Sequence, residues 1–433
     1  MPPTRQRFRI LVMLFFTVVI TYLDRNNLSL AVVALADEWK LDAKHLGQIG
    51  AAFGWTYFLL QIPGGWLVDR VRPRMLFMLV CGLWSIATII QGLAGSFMVL
   101  FSLRLLLGAF EAPAYPICNR VVTTWFPDRE RARGIGFYTS GQFFGSAFLL
   151  PVLTLAQDHF GWQAVFYLTG GMGLAWAAFW YACYRDPNQS PGANEAELKL
   201  IREGGGLVDT GAVGTKATKF SWKDLGFILS RRKLWGIYLG QMANNSTLWF
   251  FLTWFPTYLV KYRHFDFIKT GFLSSLPWLS AFVGVLFSGF LSDRLIIRGV
   301  SATVARKLPI IIGMLMSTAI IGANYVQDPH LVMMYMCIAF FGNGLSSIAW
   351  VMVSTLAPKR LLGLTGGVFN CFGNISPIAV PLIIGYLIKS DQADQAANFA
   401  PALIFVSAVA FLGAMSYIFL VGKVERVEDH VAS

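Results

Sequence analysis

The chain has 433 residues, 56% of them hydrophobic and only 13% charged, and it carries a formal net charge of +12. Soluble domains hold about 25% charged residues, so an ordinary soluble protein is excluded and a polytopic membrane protein is expected. The basic excess follows membrane topology, which excludes reading it as a nucleic-acid footprint.

A span needs ~20 apolar residues. Twelve are predicted, over residues 8–36, 45–68, 75–95, 97–125, 134–157, 162–184, 234–260, 268–292, 308–326, 331–357, 362–388 and 399–422. With both termini cytoplasmic, 26 of the 35 Lys and Arg fall in cytoplasmic segments and six in outer loops, the asymmetry of the positive-inside rule. The other three, Arg25, Arg104 and Arg120, fall inside spans. The first apolar run is too long, and too charged at Asp24-Arg25, for a cleavable signal.

In the first span the adjacent Asp24 and Arg25 interrupt the apolar run. A mid-bilayer charge costs roughly 2.5–3.5 kcal/mol on insertion scales, so such residues pair with one another or line an aqueous cavity. The second span closes with Gly65-Trp66-Leu67-Val68-Asp69-Arg70, and the eighth closes with Gly289-Phe290-Leu291-Ser292-Asp293-Arg294. The same hexapeptide pattern at the same place in each half implies a parallel internal repeat. It divides the chain into an N-terminal bundle (1–184), a cytoplasmic linker (185–233) and a C-terminal bundle (234–433). Gly65 and Gly289 are expected to allow close helix approach, with Asp69, Arg70, Asp293 and Arg294 latching one conformation at the cytoplasmic rim. The alternative is a charge pair that only fixes topology.

The fourth span carries Arg104 and Glu111. Two helical turns place both on one face, about 10.5 Å apart. No other Asp or Glu lies mid-span in this topology. Two acids and two bases neutralise one another, and carboxylates take up protons, so the set points to a proton-coupled carrier of an anion; the competing reading is a salt-bridge cluster that holds the bundle together. Glu111 has no neighbouring Arg in sequence and is expected to take up a proton more readily than Asp24, which adjoins Arg25. Arg25 is expected to grip a substrate carboxylate with its planar fork, leaving Arg104 to serve the acids.

The linker is rich in Pro, Gly and charge, with one short helix predicted around 194–203. Polar residues inside spans (Tyr57, Gln61, Gln142, Gln241, Asn244, Asn245, Ser347, Asn370, Asn374) suit a polyhydroxylated ligand as a set, while each alone serves equally as helix glue. Trp249 and Trp350 offer faces for a sugar carbon chain, or simply packing. The five cysteines and five histidines show no ligand spacing, and Gly363-Leu364-Thr365-Gly366-Gly367 lacks the lysine of a phosphate loop. No nucleophile–base set is visible, so an enzyme, a metal and an organic cofactor are not expected, and the proton is the expected coupling ion.

Several motifs together resemble the major facilitator superfamily and, more finely, its anion:cation symporter branch. They are Tyr22-Leu23-Asp24-Arg25, Ile62-Pro63-Gly64-Gly65-Trp66, Phe110-Glu111-Ala112-Pro113-Ala114, Trp125-Phe126-Pro127, Phe137-Tyr138-Thr139-Ser140-Gly141-Gln142-Phe143, residues 246–256, Phe341-Gly342-Asn343-Gly344 and residues 364–370. The likeness runs almost end to end and is similar to the galactonate-carrying subgroup. It implies an all-α membrane protein of twelve transmembrane helices in two six-helix bundles related by a parallel pseudo-two-fold. It also implies a secondary active transporter that imports a sugar acid, D-galactonate or a similar aldonate, by proton symport through alternating access. The expected setting is a bacterial inner membrane and a monomer, whose partners are the anionic sugar acid, protons and the bilayer, with no nucleic acid. By the same resemblance Asp24 and Glu111 carry protons and Arg104 tunes them, while Arg25, Tyr57, Gln142, Ser347, Trp350 and Asn370 surround the sugar acid. Hexuronate, aldarate or another organic anion is the competing cargo, and a receptor that binds without transport is the remoter alternative. Two departures stand out: Arg70-Val71-Arg72-Pro73-Arg74 lacks the glycine usual after the second span, and Ala349 offers no hydroxyl between Ser347 and Trp350.

Overall fold

The computed structural model describes residues 2–68, 70–208, 221–358, 361–388 and 399–428, and among them every regular element is helical. In chain order these are α1 Gln6–Glu38, α2 Ala43–Leu59, α3 Gln61–Val68, α4 Pro73–Gln91, α5 Phe97–Glu111, α6 Ala114–Trp125, α7 Asp128–Phe160, α8 Trp162–Cys183, α9 Glu195–Glu203 and α10 Trp222–Leu229. They continue with α11 Arg232–Thr253, α12 Phe255–Thr257, α13 Phe267–Ile297, α14 Ala302–Ser317, α15 Pro329–Ser346, α16 Ala349–Leu356, α17 Leu362–Gly373, α18 Ser376–Leu387 and α19 Ala400–Phe419.

Among the described residues, nine helical stretches are long and apolar enough to cross a membrane. The other three predicted spans are helical too, and each differs for a visible reason. The second is broken between α2 and α3 at Leu60, the sixth is α8, whose three Trp, two Tyr and three Gly lower its hydropathy, and the seventh is diluted in α11 by Gln241, Asn244 and Asn245. Exposure runs inside-out, as lipid solvation demands: α4 exposes Leu79, Leu83, Ile86 and Ile90, and buries Cys81, Ser85, Thr88 and Gln91. Helix boundaries follow local chemistry. Pro73 occupies the first position of α4, and Asp328 caps α15 by accepting from the His330 and Leu331 N–H groups. Gly161, at φ +82°, supplies the left-handed residue that separates α7 from α8.

The chain forms two compact units. The first comprises the described residues of Met1–Leu35 and Trp55–Ala217, and the second those of Ala36–Gly54 and Thr218–Ser433. Residues 36–54, predicted within the N-terminal bundle, belong to the second unit. There a Cβ on Gly47 would lie 2.5 Å from the Pro381 carbonyl oxygen, so only glycine permits that approach of α2 to α18. The linker is likewise shared. Its first part is built onto the first unit, with the Asp128 N–H donating to the Gly204 carbonyl at 2.8 Å. The predicted short helix is α9, capped by Asn194, whereas α10 buries Ile228 in the core of the second unit.

A buried ion cluster fastens α9. The Glu197 carboxylate accepts from the Thr4 hydroxyl at 2.6 Å, the Gln6 N–H at 2.9 Å, and the Arg7 N–H and guanidinium at 3.1 Å each. Arg7 also reaches Glu130 at 2.9 Å. Burial acts to raise the Glu197 carboxyl, but these hydrogen bonds outweigh it and hold the group below the usual glutamate range.

The two glycines of the repeated hexapeptide do not play the part expected of them. A Cβ on Gly65 or Gly289 would meet nothing within 4 Å, so neither glycine serves a close helix approach. That approach falls on Gly64, whose Cβ would lie 3.2 Å from Pro113 Cγ. Arg70 stacks on the Trp66 ring at 3.6 Å, and the carbonyl of Val68, at the end of α3, accepts from the Arg120 guanidinium. Asp293 and Arg294 are exposed, and Asp69 lies outside the described residues.

Candidate functional site

In the first unit, α1 and α5 bring Asp24, Arg25, Arg104 and Glu111 together. Asp24, Arg25, Arg104 and Glu111 are at most 5% exposed. On α5 the buried face runs Leu100, Leu103, Arg104, Leu107, Gly108, Glu111, the 3–4 spacing that puts both charges on the helix's inner stripe. Arg25 Nε donates to Glu111 Oε1 at 2.7 Å, and Nη2 lies 2.6 Å from the same oxygen without adding a second well-formed hydrogen bond. The guanidinium lies over two aromatic faces, 4.8 Å from the Tyr22 centroid and 4.9 Å from that of Tyr57. Cation–π attraction and the ion pair together fix its plane.

Asp24 points elsewhere, because neighbours on a helix diverge by about 100°. Neither of its oxygens, nor Glu111 Oε2, has a hydrogen-bond partner among the described residues. Thr169 and the Trp84 indole are the polar groups beside Asp24, and Arg104 lies within electrostatic reach of both acids. The sequence reading paired Asp24 with Arg25 and left Glu111 without an arginine; the structure reverses this. Arg25 is committed to Glu111, 86 positions away, and spatial approach rather than sequence adjacency sets the pairing.

A hydrogen-bonded chain links this centre to α7. Asn26 Nδ2 donates to the Tyr22 carbonyl and to Ser146 Oγ, both at 2.8 Å, and Ser146 donates to the Gln142 carbonyl at 2.9 Å. Sequence reasoning missed Tyr22, Asn26, Ser146, Trp84 and Thr169. Tyr22 and Asn26 had a usable signal, standing three before and one after Arg25 on the same helix. Ser146, Trp84 and Thr169 had none, since they come from distant helices.

In the second unit, Ser347, Trp350 and Asn370 gather at the break between α15 and α16 and on α17. The Ser347 N–H donates to the Gly344 carbonyl at 3.1 Å as α15 ends. Trp350 is 47% exposed and stands edge-on to Phe369, the residue before Asn370, at 4.8 Å. Ala349 is fully buried in the hydrophobic core of this unit, so it is a packing residue and its missing hydroxyl does not bear on the group formed by Ser347 and Trp350. Two amides here bridge helices: Asn343 donates to the Asn244 carbonyl at 2.6 Å, and Asn245 to the Gly373 carbonyl at 3.1 Å. Trp249 is buried against Phe53 at 5.8 Å. No cluster of His, Cys, Asp and Glu suited to a metal occurs among the described residues.

Multiple apolar helices with exposed lipid-facing rows, and a charged centre inside one unit, define a multi-pass membrane protein. The chain belongs to the Major Facilitator Superfamily, whose family model matches residues 14–381. It is 50% identical over 430 residues to the D-galactonate transporter of Escherichia coli O6:H1, covering 98% of each chain. It is 39% identical over 431 residues to the probable galactarate/D-glucarate transporter of Escherichia coli K12, covering 98% of this chain and 96% of that one. Among solved structures, the D-xylose–proton symporter superposes with a TM-score of 0.73 at 14% identity, over 96% of this chain and 98% of that chain. A bacterial homologue of the lysosomal transporter Spinster, inward-facing and unoccupied, gives 0.69 at 16% identity, over 95% and 98%. These last two show the fold alone.

Proposed function

We propose that this protein imports a sugar acid, D-galactonate or a similar aldonate, together with protons across a bacterial inner membrane, as a monomer with both termini cytoplasmic. The observation that carries the reading is the Arg25–Glu111 ion pair, buried against two tyrosine rings beside Asp24 and Arg104. Two carboxylates and two guanidiniums balance when all are ionised, so a substrate anion entering this low-dielectric centre needs a proton to accompany it. Protonating Glu111 turns the acceptor of Arg25 into a neutral acid and weakens its hold. The Arg25 fork is then available to the substrate carboxylate, with the tyrosines keeping its plane fixed. Release of the proton restores the pair and expels the anion. One guanidinium thus serves two carboxylates in turn, and the exchange couples proton to cargo. Asp24 is the second proton site, with Arg104 as the fixed cation between the two acids. Tyr57, Gln142, Ser347, Trp350 and Asn370 supply the hydroxyl, amide and aromatic contacts that a polyhydroxylated chain requires.

The 50% identical relative named as a D-galactonate transporter supports an aldonate, and the 39% identical relative named for galactarate and D-glucarate makes the dianionic aldarates the competing cargo. Uptake into proteoliposomes with an inward proton gradient decides between them. Labelled D-galactonate is expected to accumulate and to be displaced poorly by galactarate or hexuronates. Preferential displacement by an aldarate would reassign the cargo, and binding without accumulation would make the protein a receptor.

A further inference from the structure

We propose that the second unit carries a binding site for the phosphodiester headgroup of an anionic phospholipid, at the junction of α10, the start of α11 and the segment after α19. A half-open cavity of about 480 Å³ is lined there by Arg231, Arg232, Lys233 and Arg426 together with Glu425 and Glu428. Four cations face two carboxylates, and among the described residues none of the ion pairs joins them. The excess charge is therefore available to a ligand.

The cations are held in place before any ligand arrives. Arg232 donates to the Phe419 carbonyl at 2.9 Å. Arg426 donates to the Ala357 and Ser354 carbonyls at 2.9 and 3.0 Å. Arg231 lies over the Phe227 ring at 4.2 Å, and its buried Nε has no hydrogen-bond partner among the described residues. A buried guanidinium N–H without an acceptor is costly, and a phosphate oxygen in the cavity would satisfy it. The α11 N-terminus opens here with no side-chain cap, which adds a favourable dipole for an anion.

Position selects a lipid over a soluble anion. Arg232 is the first residue of α11, and its partner Phe419 is the last of α19, so the cavity stands where two spans leave the hydrocarbon, at headgroup depth. Next to it α10 buries Ile228 and leaves Trp222 78% exposed, the amphipathic pattern of an interfacial helix. Along α19, Leu412 and Phe419 are each 65% exposed and offer a surface for acyl chains.

The test is native mass spectrometry of the full chain in detergent, titrated with phosphatidylglycerol, cardiolipin, phosphatidylethanolamine, phosphatidylcholine and, separately, inorganic phosphate. Phosphatidylglycerol and cardiolipin are expected to stay bound where phosphatidylcholine and phosphate do not. Arg231→Gln with Lys233→Gln is expected to weaken phosphatidylglycerol roughly tenfold or more. Glu425→Gln with Glu428→Gln is expected to tighten it, and this second pair reads the site even if the first disturbs folding. Unchanged affinity in both double variants would overturn the proposal. So would equal retention of phosphatidylethanolamine or phosphatidylcholine, while competition by free phosphate alone would replace the lipid with a soluble anion.

Discussion

The two units bury polar side chains of different kinds. In the first, six charged residues among those described are buried: Arg7, Asp24, Arg25, Arg104, Glu111 and Glu197. In the second, the buried polar groups among the described residues are amides and hydroxyls, such as Gln241, Asn343, Ser317 and Ser346. Several of them bond to helix carbonyls, as Ser317 does to Ala339 at 3.0 Å and Ser346 to Ile310 at 3.2 Å. Such bonds hold helices together and do not change with protonation. Among the described residues, the buried charges thus lie in the first unit. The second unit holds neutral polar groups and the exposed Trp350, and the proposed mechanism accordingly divides coupling from recognition.

The sharpest way to break this division is Glu111→Gln, which fixes the acid as permanently neutral. Counterflow exchange of labelled substrate is expected to survive while proton-driven accumulation falls to background in proteoliposomes; normal uphill uptake would remove Glu111 from the coupling path. Arg25→Lys comes next. An ammonium cannot reproduce the fork or the stacking on Tyr22 and Tyr57, and losing a charged hydrogen bond of about 3 kcal/mol is roughly hundredfold in KM. Affinity within a few-fold of the parent would show that a plain positive field is enough.

Voltage separates the two acids. If Asp24 and Glu111 both load with one monoanion, each cycle moves one net positive charge inward, worth ~2.3 kcal/mol per 100 mV. The accumulation ratio should then rise roughly fiftyfold per 100 mV of inside-negative potential at fixed pH gradient, set with valinomycin and potassium. A ratio indifferent to voltage would leave Asp24 a structural role.

Smaller effects probe the second unit and the Glu197 clamp. Trp350→Ala should raise KM several-fold, the loss of about 1 kcal/mol of aromatic contact, and should leave voltage dependence intact. Glu197→Gln should lower the Tm by a few degrees at neutral pH, as a charged hydrogen-bond set worth about 1–3 kcal/mol is weakened. Because the folded-state Glu197 is held below the usual glutamate range, its contribution is present above the ordinary value and lost as pH falls through the lowered one. The gap in Tm between parent and variant should therefore close under acid, and a gap that persists to pH 3 would assign it to packing.

Much of this was legible in the sequence. Apolar run length located all twelve helical segments, and the scarcity of mid-span charge singled out Asp24, Arg25, Arg104 and Glu111 without any structure. What sequence could not supply was the third dimension. Whether Arg25 turns to Asp24 or to Glu111 depends on how α1 rotates against α5, and adjacency in the chain is a poor guide when neighbours diverge by about 100°. Gly65 and Gly289 misled for a related reason. A repeated glycine suggests a close approach, but the helix contact falls one residue earlier, on Gly64. Ala349 read as a gap in the site because it lies between two candidates, and its helix position turns it into the core.

The Glu197 clamp also imposes an order on biosynthesis. Thr4, Gln6 and Arg7 leave the ribosome about 190 residues before the carboxylate they bind. At 5–20 residues per second the N-terminus waits ~10–40 s for its partner. During that interval the six predicted spans of the first half are made, together with Arg70, Arg72, Arg74, Arg129, Arg131 and Arg133, which on the predicted topology set orientation along with Arg5, Arg7 and Arg9. Closure of the clamp comes only once the sixth span has been made, so the ion cluster acts as a late seal on a topology already chosen by charge.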